Sequence, residues 1–468
     1  MKLTLGQVAD IIHAEGDFTT NTEALGYSID SRTIAAGELF FAVRGERVDG
    51  HDFVEAALAN GAVAAVVSMR WLAPPTMNTC KLLRVPDEES DCILSSMQKL
   101  ARAVRRIWGR RVIGITGSAG KTTTKECVAA VLATRFRVLK TEGNLNNHFG
   151  VPLQLLRLEP EHEVAVVEMG MNHAGEIASL CRIAEPDWGV VSNVASAHLE
   201  FFADGIDGIA RAKRELIDAL PVNGIAFLNG DDQRVKTFGV GRGEHAVLYG
   251  TGEDCLVRAT EVEEMGLAGT QFLARAGALQ HSVHMRLLGR HNVLNALAAI
   301  SVGMASGVPL SACSDALEAM RPTDKRGATL EWNGAKLIDD CYNSNPHALN
   351  SMVAMLANSQ ATRRVLVAGE MLELGPDAAM LHAECGRAAA LSGIDVIVGV
   401  RGQASELVRA AQEAGAEAVF FDDAPRAGEW LRENLRAGDL VLLKGSRGMR
   451  LERALEALKE PAAANAGI

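Results

Sequence analysis

The 468-residue sequence has few aromatic residues, no cysteine pair with metal-ligand spacing and no long apolar run. Phe, Trp and Tyr make up only 4% of the chain, so its cores must consist mainly of Ala, Val, Leu and Ile. The eight cysteines are scattered without a CxxC pair, which disfavours a zinc site and a disulfide framework. Free thiols in a reducing compartment fit this pattern better.

The sequence also shows no cluster of basic residues and no targeting signal. The net charge of −11 without a basic cluster argues against a nucleic-acid partner, although local groups can still bind an anionic substrate. The opening segment MKLTLGQVADIIHAEG lacks the continuous apolar stretch of a signal peptide, and no other segment reaches transmembrane length. We therefore predict a soluble cytoplasmic protein without a membrane partner.

The length fits about three domains of ordinary size. The segment GAVAAVVS predicts a buried strand in a small first domain, and the helix 95–108 leads out of that domain. In the middle, RVIGIT, EVAVVEMG, WGVVSN and GIAFLN are nearly continuous apolar runs separated by helical stretches. Such runs are typical of parallel strands that are covered on both faces. We place the domains at residues 1–88, 89–321 and 322–468.

The pattern restarts after Pro322, where KLIDD, RRVLVAGE, DVIVGV, AEAVFF and DLVLLKG predict a second open sheet. The predicted fold is therefore α/β with a small α/β first domain, a central doubly wound parallel sheet that carries a phosphate loop, and a C-terminal Rossmann-like α/β domain.

The strongest local signal is the segment GITGSAGKT, which runs from Gly114 to Thr122. It follows a predicted strand and opens a predicted helix, where backbone amides and the helix dipole attract a phosphate. Lys121 can contact the β- and γ-phosphates, and the Thr122 hydroxyl can bind Mg²⁺. A purely structural glycine-rich turn is the alternative, and only two residues separate Gly117 from Gly120. We predict that a nucleoside triphosphate is bound by Gly117, Ser118, Ala119, Gly120, Lys121, Thr122 and Thr123.

Two further residues are candidate magnesium ligands. Glu168 ends the strand EVAVVEMG, and His198 follows the strand WGVVSN, so both side chains are expected at the carboxyl edge of the central sheet. Carboxylate oxygens suit Mg²⁺, whereas a lone histidine is more often a surface or hydrogen-bonded residue.

Taken together, these segments resemble the Mur ligase family, a group of ATP-dependent amide-forming enzymes of peptidoglycan assembly. TGSAGKTTTKE is similar to the family's phosphate loop, including its short spacing, and VVEMGMNHAGEI and SNVASAHLEFF are similar to its magnesium-binding segments. The resemblance implies that Glu168 and His198 bind Mg²⁺. It also implies that Lys213 carries a carbamate that bridges Mg²⁺, although the preceding loop is one residue longer than in relatives and a helical lysine is usually a solvated surface group.

The resemblance also implies nucleotide contacts from two domains. GRHNVLNALAA is similar to the family's adenine-side segment, and this likeness places Asn292 and Asn295 near the nucleotide. The same segment can also be explained as the start of a helix with a buried face, and the two interpretations are compatible. DKRGATLEW and IDDCYNSNP belong to the third domain that closes over ATP. By this likeness Arg326 neutralises phosphate charge and Asp340 holds the nucleotide.

Other segments point to the members that add D-alanyl-D-alanine to a UDP-linked muramoyl tripeptide. DDCYNSNP, AGEMLELG and LLKGSRGMRLE resemble those members, although Glu370 and Cys341 depart from their usual residues. SIDSRTIAAGELFFAVRGERVDGHDF resembles their UDP-sugar domain, and TEGNLNNHFGVPLQLL resembles a substrate-facing loop. The implied substrate contacts are Ser31, Arg32, Arg44, His51, Asp52, Asn144, Asn147, Tyr342, Asn343 and Asn345.

The implied activity is an ATP-driven amide ligation through an acyl phosphate by a monomeric enzyme. Its expected cofactors are ATP and Mg²⁺, and its expected partners are UDP-N-acetylmuramoyl-tripeptide and D-alanyl-D-alanine. The expected catalytic residues are Lys121, Glu168, His198, Lys213 and Arg326. A ligase of the folylpolyglutamate type, a phosphate-loop kinase and a nucleotide switch are the alternatives. The sequence leaves the third residue of the tripeptide open.

Overall fold

A computed structural model of the chain describes residues 1–45, 47–75, 77–87, 91–196, 199–323 and 325–459. Within these ranges, parallel strands and helices build three main sheets, and the predicted α/β class is confirmed. No helix in the described ranges combines the length and the apolar character that a membrane crossing requires.

The first part of the chain forms an antiparallel ribbon and a small sheet whose four strands pair in parallel in chain order. Its strands are β1 Leu3–Thr4, β2 Glu23–Ala24, β3 Gly26–Ser28, β4 Glu38–Phe41, β5 Ala64–Ser68 and β6 Leu82–Val85, and its helices are α1 Leu5–Ile12 and α2 Val54–Ala59. Helix α3, Cys92–Trp108, then leads to the middle of the chain. It begins three residues earlier than predicted, because the Asp91 side chain accepts a hydrogen bond from the amide of Leu94 and caps the helix.

The middle of the chain builds a nine-stranded sheet. Its strands are β7 Arg111–Thr116, β8 Val138–Lys140, β9 Val164–Glu168, β10 Trp188–Val191, β11 Ala226–Asn229, β12 Ala246–Gly250, β13 Val257–Glu264, β14 Thr270–Ala276 and β15 Leu279–Met285. Its helices are α4 Lys121–Ala133, α5 Gly150–Leu156, α6 Glu176–Ala184, α7 Gly205–Asp218, α8 Gln233–Thr237, α9 His291–Ala305 and α10 Leu310–Ala319. The predicted strand RVIGIT is confirmed as β7.

The middle sheet is not parallel throughout, which the sequence reading did not predict. From β8 through β13 every neighbouring pair is parallel, whereas β14 and β15 pair in an antiparallel manner at one edge. In β13, whose sequence is VRATEVEE, the first four residues are buried or half-buried. The last four alternate between exposed and half-buried residues. A half-solvated antiparallel edge needs no continuous apolar run, and for this reason the segment gave no strong strand signal.

The last part of the chain builds a six-stranded sheet in the order β16-β17-β21-β18-β19-β20. Its strands are β16 Ala328–Trp332, β17 Ala335–Asp340, β18 Arg363–Gly369, β19 Val396–Val400, β20 Glu417–Phe421 and β21 Asp439–Lys444. Its helices are α11 Pro346–Asn358, α12 Ala378–Leu391, α13 Ala404–Glu413, α14 Ala424–Asn434 and α15 Glu452–Lys459. Only β16 runs antiparallel to its neighbour among these strands.

Apolar packing joins the first sheet to the middle sheet. One core contains Phe41 and Val66 of the first sheet together with Val112 and Val167 of the middle sheet. Separate cores cover the opposite face of the middle sheet and the two faces of the last sheet. The domain boundaries at 88 and 321 stay predictions, and residue 88 lies outside the described ranges.

Candidate active site

A deep cleft of about 1480 Å³ lies between the middle sheet and the last sheet. The phosphate loop, the end of β9 and the start of α9 line one side, and the loops after β17 and β21 line the other. The carboxyl ends of parallel strands are where open α/β sheets bind ligands. The sequence-predicted residues that line this cleft are Ser118, Ala119, Gly120, Lys121, Thr122, Thr123, Asn144, Asn147, Glu168, Asn292, Asn295, Arg326, Asp340, Tyr342, Asn343 and Asn345.

The phosphate loop turns sharply between β7 and α4, and its two glycines are required for steric reasons. Gly117 and Gly120 both have a positive φ, at 151° and 79°. A Cβ atom at Gly117 would collide with the Ser192 hydroxyl, and one at Gly120 would lie 2.7 Å from Oδ1 of Asn295. Glycine has no Cβ atom and tolerates these angles, so the backbone can pass close to its neighbours.

Lys121 lies at the first position of α4 and folds back over the loop. Its Nζ donates a hydrogen bond to the carbonyl of Gly117 at 2.8 Å. Burial lowers the pKa of Lys121, the negative charge of Glu168 acts in the opposite direction, and the positive charge of Arg326 lowers the pKa further. A desolvated cation at a helix start is well placed to interact with a phosphate group.

Glu168 is almost completely buried at the end of β9, and both of its carboxylate oxygens have hydrogen-bond donors. The Thr122 hydroxyl donates to one oxygen at 2.9 Å, and the Asn146 side-chain amide donates to the other at 2.8 Å. The hydroxyl and the carboxylate therefore lie side by side. They are two hard oxygen donors of the kind that Mg²⁺ prefers.

Arg326 comes from the loop before β16 and reaches across the cleft to the phosphate loop. Its guanidinium donates a hydrogen bond to the Thr122 hydroxyl at 3.1 Å. The guanidinium carbon also lies 3.8 Å from the ring centroid of Tyr342, so the aromatic ring holds the cation in place. The structure thus brings Lys121, Thr122, Glu168 and Arg326 together. The sequence analysis predicted that these four residues lie near one phosphate.

Lys213 is buried on α7 and is not part of the cleft lining. Its side chain is 1% exposed, and its Nζ has no hydrogen-bond partner within the part of the chain that the structure describes. Burial lowers the pKa of Lys213 well below the ordinary value, and the charge of Lys121 lowers it further, against the carboxylates of Glu215 and Glu176. A lowered pKa raises the fraction of the amine that is neutral, and the neutral form is the nucleophilic one.

The structure shows no preassembled cluster of three or more His, Cys, Asp or Glu side chains that could hold a metal ion among the residues it describes. His198, the predicted histidine ligand, lies outside the described residues. The candidate metal donors in the described ranges are therefore Thr122, Glu168 and a modified Lys213.

The predicted adenine-side residues lie on α9 next to the phosphate loop. Asn295 accepts a hydrogen bond from the Thr124 hydroxyl at 2.9 Å and donates one to Asn292 at 2.8 Å. On the other side of the cleft, Asp340 at the end of β17 forms an ion pair with Lys444 at 2.6 Å. All of these contacts orient groups that line the cleft.

Several predicted substrate residues also have local structural tasks. Asn147 accepts hydrogen bonds from the backbone at the start of α5, and Asn345 caps α11 by accepting from the amide of Ala348. Asn343 accepts a hydrogen bond from the amide of Ser344, whereas Asn144 is exposed. Helix caps and turns use such side chains regularly, so these contacts neither exclude nor require a bound substrate.

The predicted contacts in the first sheet, all within the described ranges, do not line the cleft. Arg32 pairs with Asp30, and Arg44 pairs with Asp49. The backbone carbonyl of Ser31 accepts a hydrogen bond from Asn60, and Asp52 is exposed in the 3-10 helix Gly50–Phe53.

His51 uses both ring nitrogens within the first sheet. Its Nδ1 lies 2.7 Å from Asp49, and its Nε2 lies 3.0 Å from the backbone amide of Ser68, from which it accepts a hydrogen bond. A substrate would therefore meet the ring face or replace one of these partners. The roles of His51 and of its four predicted neighbours in substrate binding stay predictions.

Two residues of the site were missed by the sequence reading. Asn146 donates a hydrogen bond to Glu168, whereas the predicted residues from the same loop are Asn144 and Asn147. Lys444 pairs with Asp340, although the segment LLKGSRGMRLE that contains it was noted only for its family likeness. An asparagine-rich loop next to a strand end signals contacts with that edge, but the sequence does not show which asparagine turns inward.

Comparison with known proteins agrees with this arrangement. The chain matches three family models, described as "Mur ligase family, catalytic domain" at residues 24–142, "Mur ligase middle domain" at 115–303 and "Mur ligase, glutamate ligase domain" at 325–447. It is 35% identical to a UDP-N-acetylmuramoyl-tripeptide–D-alanyl-D-alanine ligase of Escherichia coli, over 98% of this chain and 99% of the relative. A Bacillus subtilis ligase of the same name is 34% identical over 93% of each chain.

Solved structures show the same likeness. A MurF structure from Acinetobacter baumannii superposes with a TM-score of 0.87 at 30% identity and covers 98% of this chain and 99% of that one. A MurF ligase from Thermotoga maritima in complex with ADP has a TM-score of 0.80 at 30% identity, with 92% and 96% covered. The three matching family models and the relatives of 34% and 35% identity over nearly the whole length show that the chain belongs to the Mur ligase family.

Proposed function

We propose that the chain is an ATP-dependent ligase that joins D-alanyl-D-alanine to UDP-N-acetylmuramoyl-tripeptide. The products are the UDP-muramoyl-pentapeptide, ADP and phosphate. The observation that carries this proposal is the likeness to ligases of that name over nearly the full length of both chains. The Thr122–Glu168–Arg326 contact, which brings phosphate-binding groups of two sheets together, supports it.

ATP is needed because a carboxylate is a poor electrophile and amide formation in water is unfavourable. The terminal carboxylate of the tripeptide attacks the γ-phosphorus in line, the bond to the β-phosphate oxygen breaks, and an acyl phosphate and ADP form. Lys121 and Arg326 neutralise the charge that builds up on the phosphoryl oxygens. The neutral amine of the dipeptide then attacks the acyl carbon, phosphate leaves with the electrons of the broken C–O bond, and the amine loses a proton.

The described residues fit a magnesium ion at this site. Thr122 and Glu168 would hold one Mg²⁺ through oxygen atoms, and His198 and a carbamate on Lys213 would hold a second. A bound Mg²⁺ supplies positive charge that stabilises the phosphoryl oxygens. The carbamate forms when the neutral Lys213 amine attacks the carbon of CO₂, an N–C bond is made and one proton is released.

We assign the first domain, residues 1–88, to the UDP-muramoyl part and the third domain, residues 322–468, to the dipeptide. The third domain also contributes Arg326 and Asp340 to the nucleotide. Because these contacts come from two sheets, we expect the cleft to close when ATP binds. A cytoplasmic location and a monomeric state remain parts of this proposal.

The first prediction tests the reaction itself. Purified enzyme with ATP, Mg²⁺, UDP-muramoyl-tripeptide and D-alanyl-D-alanine should form the pentapeptide nucleotide, detected by mass spectrometry, with one ADP for each product. The assay should be run with tripeptides ending in L-lysine and in meso-diaminopimelate. Lys121→Ala should lower the rate by at least about 10³-fold, because the phosphate loses its nearest cation.

Lys236→Ala is the matched control, because that lysine pairs with Asp254 at the surface and neither residue lines the cleft. ADP release without either acceptor substrate would instead indicate a nucleotide switch. Product formed only with a folate and glutamate would indicate a folylpolyglutamate-type ligase.

The second prediction concerns Asn146, which orients Glu168 through a 2.8 Å hydrogen bond. Asn146→Ala leaves one carboxylate oxygen without its donor, so the carboxylate is held less firmly. Removal of such a supporting contact typically weakens metal binding ~10- to 100-fold. We expect the Mg²⁺ concentration for half-maximal rate, and the Mn²⁺ dissociation constant measured by electron paramagnetic resonance, to rise accordingly.

Glu142→Gln is the control for Asn146→Ala, because Glu142 lies in the same loop but pairs with the exposed Arg157. Unchanged metal binding in Asn146→Ala would show that the amide does not support Glu168 in this way.

The third prediction uses the buried amine of Lys213. Folding lowers the pKa of this group, so between the lowered pKa and the ordinary value of 10.5 the folded amine has lost its proton while the unfolded chain keeps it. The unfolded state therefore binds more protons, and wild-type stability rises with pH through that window. In CO₂-free buffer Lys213→Met should be more stable by about 1–3 kcal/mol near neutral pH, and the gain should shrink as the pH approaches about 10.5.

Bicarbonate should then raise the melting temperature of the wild type but not of Lys213→Met, because a carbamate forms only on the folded lysine. With ¹³C-bicarbonate the wild type should show a carbamate signal by NMR that the variant lacks. Equal responses of the two proteins to bicarbonate would rule out the carbamate.

A further inference from the structure

Lys125 is a buried lysine that the proposed mechanism does not use. It lies in α4, one turn after Lys121 and Thr122 of the phosphate loop, and its side chain is 1% exposed. Its Nζ donates a hydrogen bond to the backbone carbonyl of Thr141 at 2.6 Å and lies 2.9 Å from Oε1 of Glu126. The lysine therefore joins the helix that begins at the phosphate loop to the segment that follows β8.

Glu126 is shared between Lys125 and a second lysine. Lys140 pairs with the other carboxylate oxygen of Glu126, but its side chain is 44% exposed. Burial acts to raise the pKa of Glu126, but the hydrogen bonds from Lys140 and Lys125 outweigh it, so the pKa is lowered. The carboxylate is therefore ionised near neutral pH. Together with the carbonyl of Thr141 it gives the buried Lys125 side chain two acceptors that fix its direction.

Thr141 uses each of its polar groups to connect neighbouring elements. Its amide donates to the carbonyl of Val166 in β9 at 3.0 Å, and its carbonyl accepts from Lys125. Its hydroxyl accepts a hydrogen bond from the backbone amide of Glu168 at 2.9 Å, and both of these residues are buried. Thr141 thus connects α4 directly to the backbone of the carboxylate at the end of β9.

The segment that follows β8 also holds the side chain of Glu168. Asn146, further along this segment, donates to Oε1 of Glu168, and its carbonyl accepts from the amide of Gly170 at 2.8 Å. The other oxygen, Oε2, accepts from Thr122, which lies one turn before Lys125 in α4. A shift of the segment relative to α4 would therefore change the separation between the Thr122 hydroxyl and the Glu168 carboxylate, the two oxygen donors suited to Mg²⁺.

We propose that Lys125 is a positioning residue that acts through Thr141 on the carboxylate of Glu168. The assignment rests on the proposed function and adds to it a residue behind the site, since neither Lys125 nor Thr141 lines the cleft. Groups behind a metal ligand orient that ligand and so affect the affinity for the metal. The hydrogen bond from Lys125 keeps the distance between the phosphate-loop helix and the end of β9 constant, and this distance sets the geometry of the two oxygen donors.

Lys125→Met tests the assignment, because methionine has nearly the length of lysine but cannot donate to Thr141. We expect the Mn²⁺ dissociation constant, measured by electron paramagnetic resonance, and the Mg²⁺ concentration for half-maximal rate to rise ~10-fold. The rate at saturating Mg²⁺ should change little, since the groups around the phosphates are unaltered. In the metal-free protein, hydrogen exchange followed by mass spectrometry should be faster in a peptide that contains the Glu168 amide.

Lys140→Met is the matched control, because it removes the other lysine that pairs with Glu126 and leaves the hydrogen bond from Lys125 to Thr141 in place. It should keep the metal binding and the hydrogen exchange of the wild type. An equal loss of metal affinity in Lys140→Met and Lys125→Met would identify the charge balance of Glu126 as the cause and overturn the assignment.

Thr141 provides a second test that does not depend on the folding of a Lys125 variant. Thr141→Val keeps the shape of the side chain but removes the acceptor of the Glu168 amide, so it should weaken metal binding by a similar factor. Thr141→Ser keeps the hydroxyl and should retain wild-type affinity. Because Lys125 acts through Thr141, the double variant Lys125→Met/Thr141→Val should bind metal only slightly more weakly than either single variant.

Two results would overturn the assignment while the ligase function stands. One is unchanged metal binding in both Lys125→Met and Thr141→Val, and the other is a double variant in which the two losses of affinity multiply. If the wild type forms no pentapeptide nucleotide, the proposed function fails. Mn²⁺ affinity and hydrogen exchange need no substrate, so they would still decide whether Lys125 positions Glu168.

Discussion

The active site depends on one contact between two separately folded sheets, in which the guanidinium of Arg326 reaches the hydroxyl of Thr122. The same hydroxyl touches the buried carboxylate of Glu168, so a cation of the last sheet, the phosphate loop and a candidate metal donor form one network. Neither sheet contains this set alone. Catalysis of phosphoryl transfer rests mainly on positioning and charge neutralisation, and both require the two sheets to be held together across the cleft.

The need to hold the two sheets together across the cleft also accounts for the burial of two lysine side chains at the site. Burial lowers the pKa of the Lys121 and Lys213 amines. Among the residues that the structure describes, the buried Lys213 amine has no hydrogen-bond partner, and burial of such a polar group costs free energy.

The sequence predicted most of the architecture that rests on apolar runs. The strand Arg111–Thr116 and the glycine-rich turn after it were located correctly, because a buried parallel strand and a loop that excludes Cβ atoms leave plain signals. The antiparallel edge strands β14 and β15 were missed, since their half-exposed faces need no continuous apolar run. Likewise, a list of asparagines in one loop could not show that Asn146 is the one that turns toward Glu168, because that choice depends on a contact between distant segments.

The central claim is that ATP activates the tripeptide by transfer of its γ-phosphoryl group to the terminal carboxylate. Labelling both oxygens of that carboxylate with ¹⁸O tests the claim directly, with mass spectrometric analysis of the phosphate released in one turnover. We predict one ¹⁸O atom in each phosphate, because the oxygen that attacks phosphorus leaves with it when the amine displaces the acyl phosphate. Phosphate without label, with one ¹⁸O atom retained in the amide and the other released as water, would contradict the account.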